Sequence, residues 1–252
     1  MWDLKGQTAV VTGGTKGIGK ATVLEFLELG ARVLFTARNK QDVVNFEKEL
    51  QDKGFEAIGI VSDVSVQEDR EKTVHWVQNN WQALDILVNN AGVNIRKKAL
   101  DYSEEEFQKV LNINLIAPFE LSRALHPFLK KSKVGTVINV ASVAALQDVG
   151  TGTPYAMAKS GLLQQTRSLA VEWAQEGIRV NAVSPWFTET PLTEGFLKQD
   201  ERMNGILGRT PLKRIAKAEE MASIIAFLAM EKSSYITGQN IIADGGMSIN
   251  AI

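Results

Sequence analysis

The sequence predicts an α/β fold, a Rossmann-type doubly wound parallel sheet of about seven strands with helices on both faces. Short runs rich in Val and Ile alternate with amphipathic stretches of helical period from one end of the chain to the other, as repeated βαβ units require. Those runs are apolar without polar alternation, as parallel strands covered on both sides are. A glycine-rich turn follows the first of them, at the place where a helix should begin.

The strands read Thr8 to Thr12, Ala31 to Ala37, Ala57 to Ser62, Asp85 to Asn89, Gly135 to Ala141, Arg179 to Ser184 and Asn240 to Ala243. Helices fill the intervals. Ser65 with Glu68 and Ser103 with Glu106 predict capping boxes, in which side chains satisfy the backbone N–H groups that a helix start leaves orphaned. Gly30 closes the first helix, where a left-handed residue is wanted. One long connection, from about residue 188 to 216, lacks strong periodicity, and a segment of that length in a compact domain predicts a functional lid. No linker interrupts the pattern, so residues 1–252 read as one domain for cofactor and catalysis.

Composition excludes several classes. A chain of 252 residues is long enough for one sizeable core. Its net charge of -1 argues against nucleic acid as a partner. The absence of cysteine removes disulfides, thiolate nucleophiles and Fe–S clusters, and His75 and His126, far apart on predicted helices, make an all-protein catalytic zinc an unlikely design. The first residues pass straight into a strand without a leader pattern, and no apolar run is long enough to span a membrane; both predict a cytoplasmic protein.

After the first strand comes Thr12-Gly13-Gly14-Thr15-Lys16-Gly17-Ile18-Gly19. Glycines there let backbone N–H groups approach a pyrophosphate on the positive end of a helix. Gly14 to Gly19 followed by Lys20 also has P-loop spacing, but the next residue, Ala21, lacks the hydroxyl that would hold magnesium. The second strand ends Phe35-Thr36-Ala37-Arg38-Asn39. An acid at that strand end would accept from the adenosine ribose; Ala37 instead leaves space, and Arg38, with Lys16 nearby, suits a 2′-phosphate, which selects NADPH over NADH. Asp63, ending the third strand, either accepts from the adenine amino group or caps its turn.

Tyr155 and Lys159 stand four residues apart on a helical segment and so share a face. A nearby ammonium is expected to lower the phenol pKa, tuning Tyr155 to protonate an alkoxide. Ser142 falls at the carboxyl end of the fifth strand, the edge where such sheets bind ligands, and its hydroxyl is placed to hold a substrate carbonyl.

With the glycine segment, Asn89-Asn90-Ala91-Gly92, Asn114, Ser142, Tyr155 and Lys159 in these positions, the chain resembles short-chain dehydrogenases/reductases over its whole length. The resemblance implies that Asn114 anchors a water joining Lys159 to solvent, that Lys159 also bonds the nicotinamide ribose, and that Asn90 lines the cofactor cleft, although the asparagines taken singly could be structural. It implies that Thr190 contacts the carboxamide. The expected cofactor set is Gly13, Thr15, Lys16, Gly17, Ile18 and Gly19 in the loop; Arg38, Asp63 and Val64 beyond two strand ends; Asn90, Ala91 and Gly92; then Tyr155, Lys159, Pro185, Thr188 and Thr190. Trp2, the loop, Ser234 to Gln239 and Ala243 to Gly246 most resemble tropinone-reductase-type members, which implies NADPH and a small, largely apolar ketone, cyclic as in that group. A 3-ketoacyl-thioester reductase and a non-catalytic NADPH-binding protein are the alternatives.

One position departs from the family: after Pro185, where Gly is usual, stands Trp186. Either the backbone there stays in a region open to any residue, or the loop differs and Thr190 is displaced; the indole either narrows the substrate space or packs outward against the lid. Val143, Val149, Tyr155, Trp186, Phe187, Leu192 and Phe196 are candidate pocket walls, with Ser142 at the carbonyl. Helices around Phe107 to Leu129 and Tyr155 to Trp173 carry more than one apolar stripe, which predicts a homo-oligomer, a tetramer as the family would form.

Overall fold

The computed structural model describes residues 2–250, except the side chain of Phe196, which lies outside the described residues. Seven strands, β1 (Thr8–Thr12), β2 (Arg32–Ala37), β3 (Ala57–Val61), β4 (Ile86–Asn89), β5 (Thr136–Val140), β6 (Arg179–Pro185) and β7 (Asn240–Ala243), make one sheet in the order β3-β2-β1-β4-β5-β6-β7. Every pairing is parallel. All seven expected strands are present, with ends within a residue or so of the expected ones.

Burial on both faces explains the uninterrupted apolar runs. Successive side chains of a strand point to opposite sides. Val11, Phe35 and Val88 are buried among Phe26 of α1 (Gly17–Glu28), Phe46 and Leu50 of α2 (Lys40–Asp52) and Ile225 of α9 (Ala218–Ala229). The alternate residues Val10, Leu34, Leu87, Val137 and Val180 pack on Val77 of α3 (Gln67–Asn80), Leu125 of α5 (Ala117–Leu129) and Leu169 of α6 (Thr153–Trp173). The central strands are covered on both sides, while the edge strands β3 and β7 keep exposed residues, Val61 and Ile242.

Local signals held in one case and failed in another. Ser103 caps α4 (Glu104–Leu111) in a reciprocal box with Glu106. The box expected from Ser65 and Glu68 does not form: α3 begins one residue later, with Val66 at its N-cap. The Ser65 backbone N–H and hydroxyl instead donate to Asp63 Oδ1 at 2.9 and 2.7 Å, an Asx-type turn that orients the hydroxyl back toward residue 63. Gly30 has φ +92° directly after the first helix, as expected.

Two features were not anticipated. Between α4 and α5 the helix widens into a π turn over Asn112–Ile116. Pro118 has no N–H to return to the Asn114 carbonyl four residues earlier and its ring crowds that carbonyl in a regular helix; the wider turn relieves the clash. The region from 188 to 216 carries two helices, α7 (Pro191–Leu197) and α8 (Asp200–Arg209), instead of being structureless. Its neck is closed by a parallel bridge between Thr188 and Ala216, with Glu189 donating to the Ala216 carbonyl at 2.9 Å. Among the described residues no helix is long and apolar enough to cross a membrane.

Arg179, at the start of β6, ties the sheet to the turn after α9. Its guanidinium donates to the Leu228 carbonyl at 2.9 Å, to the Ser233 hydroxyl at 3.0 Å and to the Ser233 carbonyl at 3.1 Å. Replacing it with Met leaves several acceptors unmet. Arg179→Met should therefore lower unfolding free energy by roughly 2–4 kcal/mol, read as a fall in the urea midpoint by circular dichroism; an unchanged midpoint would contradict this account.

Candidate active site

Because all strands run the same way, their carboxyl ends open on one edge, and the chain leaves β1 and β4 in opposite directions there. A cleft of about 820 Å³ occupies this edge. At one end lies the glycine turn. A Cβ on Gly19 would collide with the Gly13 carbonyl oxygen and with Asn90 Nδ2, so this turn can be this tight only without a side chain. Asn90 stitches it to β4: its Nδ2 donates to the Thr12 and Gly13 carbonyls at 2.9 and 3.2 Å, and its own N–H donates to Thr12 Oγ1 at 3.0 Å. The structural role left open for Asn90 is thus present, while the residue also lines the cleft.

The start of α1 faces the same space. Its N-cap, Lys16, makes no side-chain capping bond and the first turn holds no acid, while Lys16, Gly17 and Ile18 line the cleft. Orphan N–H donors at a positive helix end fit a diphosphate. The two expected cations stand nearby, each with a carboxylate: Lys16 Nζ is 2.6 Å from Asp42 Oδ2, and Arg38 Nη1 is 3.9 Å from Asp63 Oδ2. Asp42, in the first turn of α2, was not foreseen, because a residue several positions past the strand end cannot be placed from the strand alone. Asp63 does cap its turn through Oδ1, as described for Ser65, and also lines the cleft. Thr15, Val64, Ala91, Gly92, Pro185, Thr188 and Thr190 complete this part of the wall as expected, whereas Gly19 lies behind it.

At the other end Ser142, Tyr155 and Lys159 meet. Ser142 follows β5, and Tyr155 and Lys159 lie on α6. The Lys159 ammonium is buried, donates to the Val140 carbonyl at 2.7 Å, and lies 5.7 Å from the centre of the Tyr155 ring. Asn114, fully buried in the π turn, donates through Nδ2 to the Val93 and Val110 carbonyls, both at 2.8 Å, and its Oδ1 accepts from the Val93 N–H at 3.3 Å. It is not in the cleft wall, but a methyl group built on Gly92 would lie 3.0 Å from Asn114 Oδ1 and 3.8 Å from Lys159 Nζ, so the two side chains converge on Gly92.

The electrostatics differ from the sequence expectation. Burial holds the Tyr155 phenol above its ordinary value, opposed by a hydrogen bond with Ser142 and by the charge of Arg96, and Lys159 is not among the causes. The Lys159 ammonium gives its hydrogen bond to the Val140 carbonyl, so its action on Tyr155 would run through space rather than through a direct bond. Burial also lowers Lys159 from 10.5 to about 8.

Of the expected substrate wall, Val149, Trp186, Leu192, Ser142 and Tyr155 line the cleft. Val143 does not: it is fully buried in the short helix after Ser142 and faces the core. Phe196 falls on the undescribed side chain. Trp186 is not among the non-glycine residues with positive φ, so its backbone stays in a region open to any residue. Its Nε1 donates to Thr210 Oγ1 at 3.1 Å and its ring stands edge-on to Phe187, so the indole is both cleft wall and a fastening of the segment 188–216. Sequence reasoning missed Asn94, Arg96 and Thr151, which line the reaction end. Their signal was position: Asn94 and Arg96 follow directly on the Asn90 to Gly92 run at the ligand-binding edge.

A family model described as Enoyl-(Acyl carrier protein) reductase matches residues 13–248. A tropinone reductase homolog from Arabidopsis thaliana is 42% identical over 250 residues, covering 99% of this chain and 95% of the relative. The gluconate 5-dehydrogenase from Burkholderia cenocepacia J2315, solved with NADP and tartrate, superposes with a TM-score of 0.94 at 27% identity, covering 99% of this chain and 98% of that one. The Pseudomonas aeruginosa RhlG/NADP active-site complex superposes with a TM-score of 0.92 at 31% identity, covering 98% of each chain. The parallel sheet, the glycine turn against α1 and the group of Ser142, Tyr155 and Lys159 agree with these matches: the chain belongs to the short-chain dehydrogenase/reductase family.

Proposed function

We propose that the chain is an NADPH-dependent reductase of a small, largely apolar ketone, cyclic as in the tropinone reductases after which the Arabidopsis relatives are named. The observation that carries this reading is that the half-buried Tyr155, hydrogen-bonded to Ser142, lines the same cleft as the uncapped start of α1. The reading takes residues 1–252 as one domain, with 188–216 as its lid. Exposed apolar residues on the helices, Phe119 on α5 and Met157 and Val171 on α6, support a homo-oligomer, a tetramer in this reading.

The residues divide the work. The N–H groups of the glycine turn and the start of α1 would hold the diphosphate, and Arg38 with Lys16 the 2′-phosphate. When bound, the nicotinamide supplies the hydride. The Ser142 hydroxyl donates to the substrate carbonyl and keeps it beside Tyr155. Tyr155 Oη then gives its proton to the carbonyl oxygen as negative charge develops there; a phenol that burial keeps protonated at neutral pH suits reduction better than the reverse direction, which needs a phenolate. Lys159, in reach of the π turn and Gly92, stands where it can pass a proton inward to replace the one spent.

Tyr155→Phe should retain NADPH binding and lose roughly 10² or more in kcat with a cyclic ketone, followed by NADPH absorbance. Unchanged turnover would reject Tyr155 as the acid. Arg38→Asp should weaken NADPH by about tenfold or more while leaving NADH little affected, by fluorescence titration with both cofactors.

The buried ammonium makes a pH prediction. Its folded pKa of about 8 lies below the unfolded value of 10.5, so the cost of burying charge is fully present below about pH 8 and is relieved as pH rises toward 10.5. At roughly 1.4 kcal/mol per unit the cost is on the order of 3 kcal/mol. Cofactor-free Lys159→Met should accordingly be the more stable protein at pH 7 in urea titrations, with its advantage shrinking by pH 10; an advantage independent of pH would sink this assignment.

A further inference from the structure

We infer that Asp42 is a specificity-determining residue of the cofactor site: its carboxylate, paired with Lys16 at the glycine-turn end of the cleft, opposes a 2′-phosphate and holds the preference for NADPH below what Lys16 and Arg38 would otherwise set. The inference rests on the NADPH reading and adds to it the residue that limits it.

The charges at this end of the cleft balance. Among the described residues that line it there, the cations are Lys16 and Arg38 and the carboxylates are Asp42 and Asp63. Each cation already faces a carboxylate, Lys16 Nζ at 2.6 Å from Asp42 Oδ2 and Arg38 Nη1 at 3.9 Å from Asp63 Oδ2. A 2′-phosphate carries close to two negative charges at neutral pH, so it enters a site whose positive charge is already met.

The two carboxylates are held differently. Asp63 belongs to its own turn, with Oδ1 accepting from the Ser65 N–H and hydroxyl, and its Oδ2 lies beyond hydrogen-bond reach of Arg38 Nη1. Asp42 meets Lys16 at hydrogen-bond distance. It sits in the first turn of α2, where the helix end favours negative charge, and its N–H donates to Asn39 Oδ1 at 2.9 Å. Its side chain is also the less exposed of the pair, 29% against 58% for Lys16. The carboxylate is therefore the fixed partner, and the long lysine the movable one.

That asymmetry decides the sign. A phosphate oxygen accepting a bond of about 2.8 Å from Lys16 lies within roughly 5.5 Å of Asp42 Oδ2 while the ion pair is kept, close enough for like charges to repel through water. Drawing Lys16 away to avoid the repulsion breaks the pair instead. Asp42 could serve NADPH only by aiming Lys16, and an exposed ion pair contributes too little order to outweigh repulsion of a doubly charged group. An unphosphorylated ribose meets no such penalty, since its hydroxyls donate and a carboxylate accepts.

The test uses Asp42→Asn, which removes the charge but keeps the size, an acceptor oxygen and the backbone N–H that Asn39 caps. Binding of 2′-phospho-ADP-ribose and of ADP-ribose, which carry no nicotinamide, is measured by calorimetry on wild type and variant. Asp42→Asn should tighten the phosphorylated ligand by about tenfold and leave ADP-ribose within about twofold. In about 0.5 M salt, where the screening length is about 4 Å, that gain should shrink to about threefold or less. Weaker or unchanged binding of the phosphorylated ligand by the variant overturns the inference, as does an equal gain for both ligands or a gain indifferent to salt. If wild type favours ADP-ribose over its 2′-phosphorylated form, the NADPH reading is what fails, and the response to Asp42→Asn still decides the inference by the same rule. If wild type binds neither ligand, both fall.

Discussion

Parallel strands that stop together leave a row of backbone groups at one edge, and those groups must find partners inside a protein covered on both faces of its sheet. The side chains that supply them are the side chains of the site. Asn90 bonds the carbonyls of Thr12 and Gly13 past the end of β1, Thr12 Oγ1 accepts the N–H groups of Asn90 and Ala91 past the end of β4, and Lys159 bonds the last carbonyl of β5. Deeper in the sheet, Asn89 donates to Asn139, and Asn139 to Thr166 of α6, so β4, β5 and the helix that carries Tyr155 are locked in one register. The position of α6, and with it Tyr155, is therefore set by the same hydrogen bonds that finish the sheet.

The same construction sets the electrostatics. A lysine that must reach a strand-end carbonyl under α6 is pulled out of water, and its ammonium becomes easier to deprotonate. The neighbouring phenol, half-buried in the cleft wall, is also drawn away from water and holds its proton more tightly. The lysine falls from 10.5 to about 8 while the phenol rises from 10.0, so the two move apart, and transfer of a proton from the ammonium to a tyrosinate left by the reaction runs downhill. The cost falls on stability and the gain on chemistry, a separation common where catalytic groups are desolvated.

Much of this was legible in the sequence because it follows from local rules with large energetic consequences. Apolar runs without alternation gave all seven strands, since two-sided burial leaves no other pattern. The glycine turn, the cap at Ser103 and the grouping of Ser142, Tyr155 and Lys159 each depend on one residue type at one spacing. What was missed depends on competition between neighbours. Ser65 failed as a cap because its N–H and hydroxyl are turned toward Asp63 in a tight local turn and the helix starts one residue later. The π turn needed Pro118 to be read against Asn114, a clash in three dimensions. Arg96 and Asp42 reach the cleft through segments whose course is set by Tyr102, Asn114 and Asn39, and no single-residue rule predicts that course.

Trp186 shows how the scaffold absorbs a departure from its family. A glycine there would matter if the backbone needed a left-handed turn, but the chain passes position 186 in an ordinary conformation. The Trp186 N–H bonds the Ala243 carbonyl on β7 at 3.1 Å, and the indole reaches Thr210 beyond α8, so one residue joins the sheet to the far side of the segment 188–216. The bridge between Thr188 and Ala216 fixes the near side. Its neck and its far end are thus both tied to the body of the protein, and between them Leu192 is held in the cleft wall.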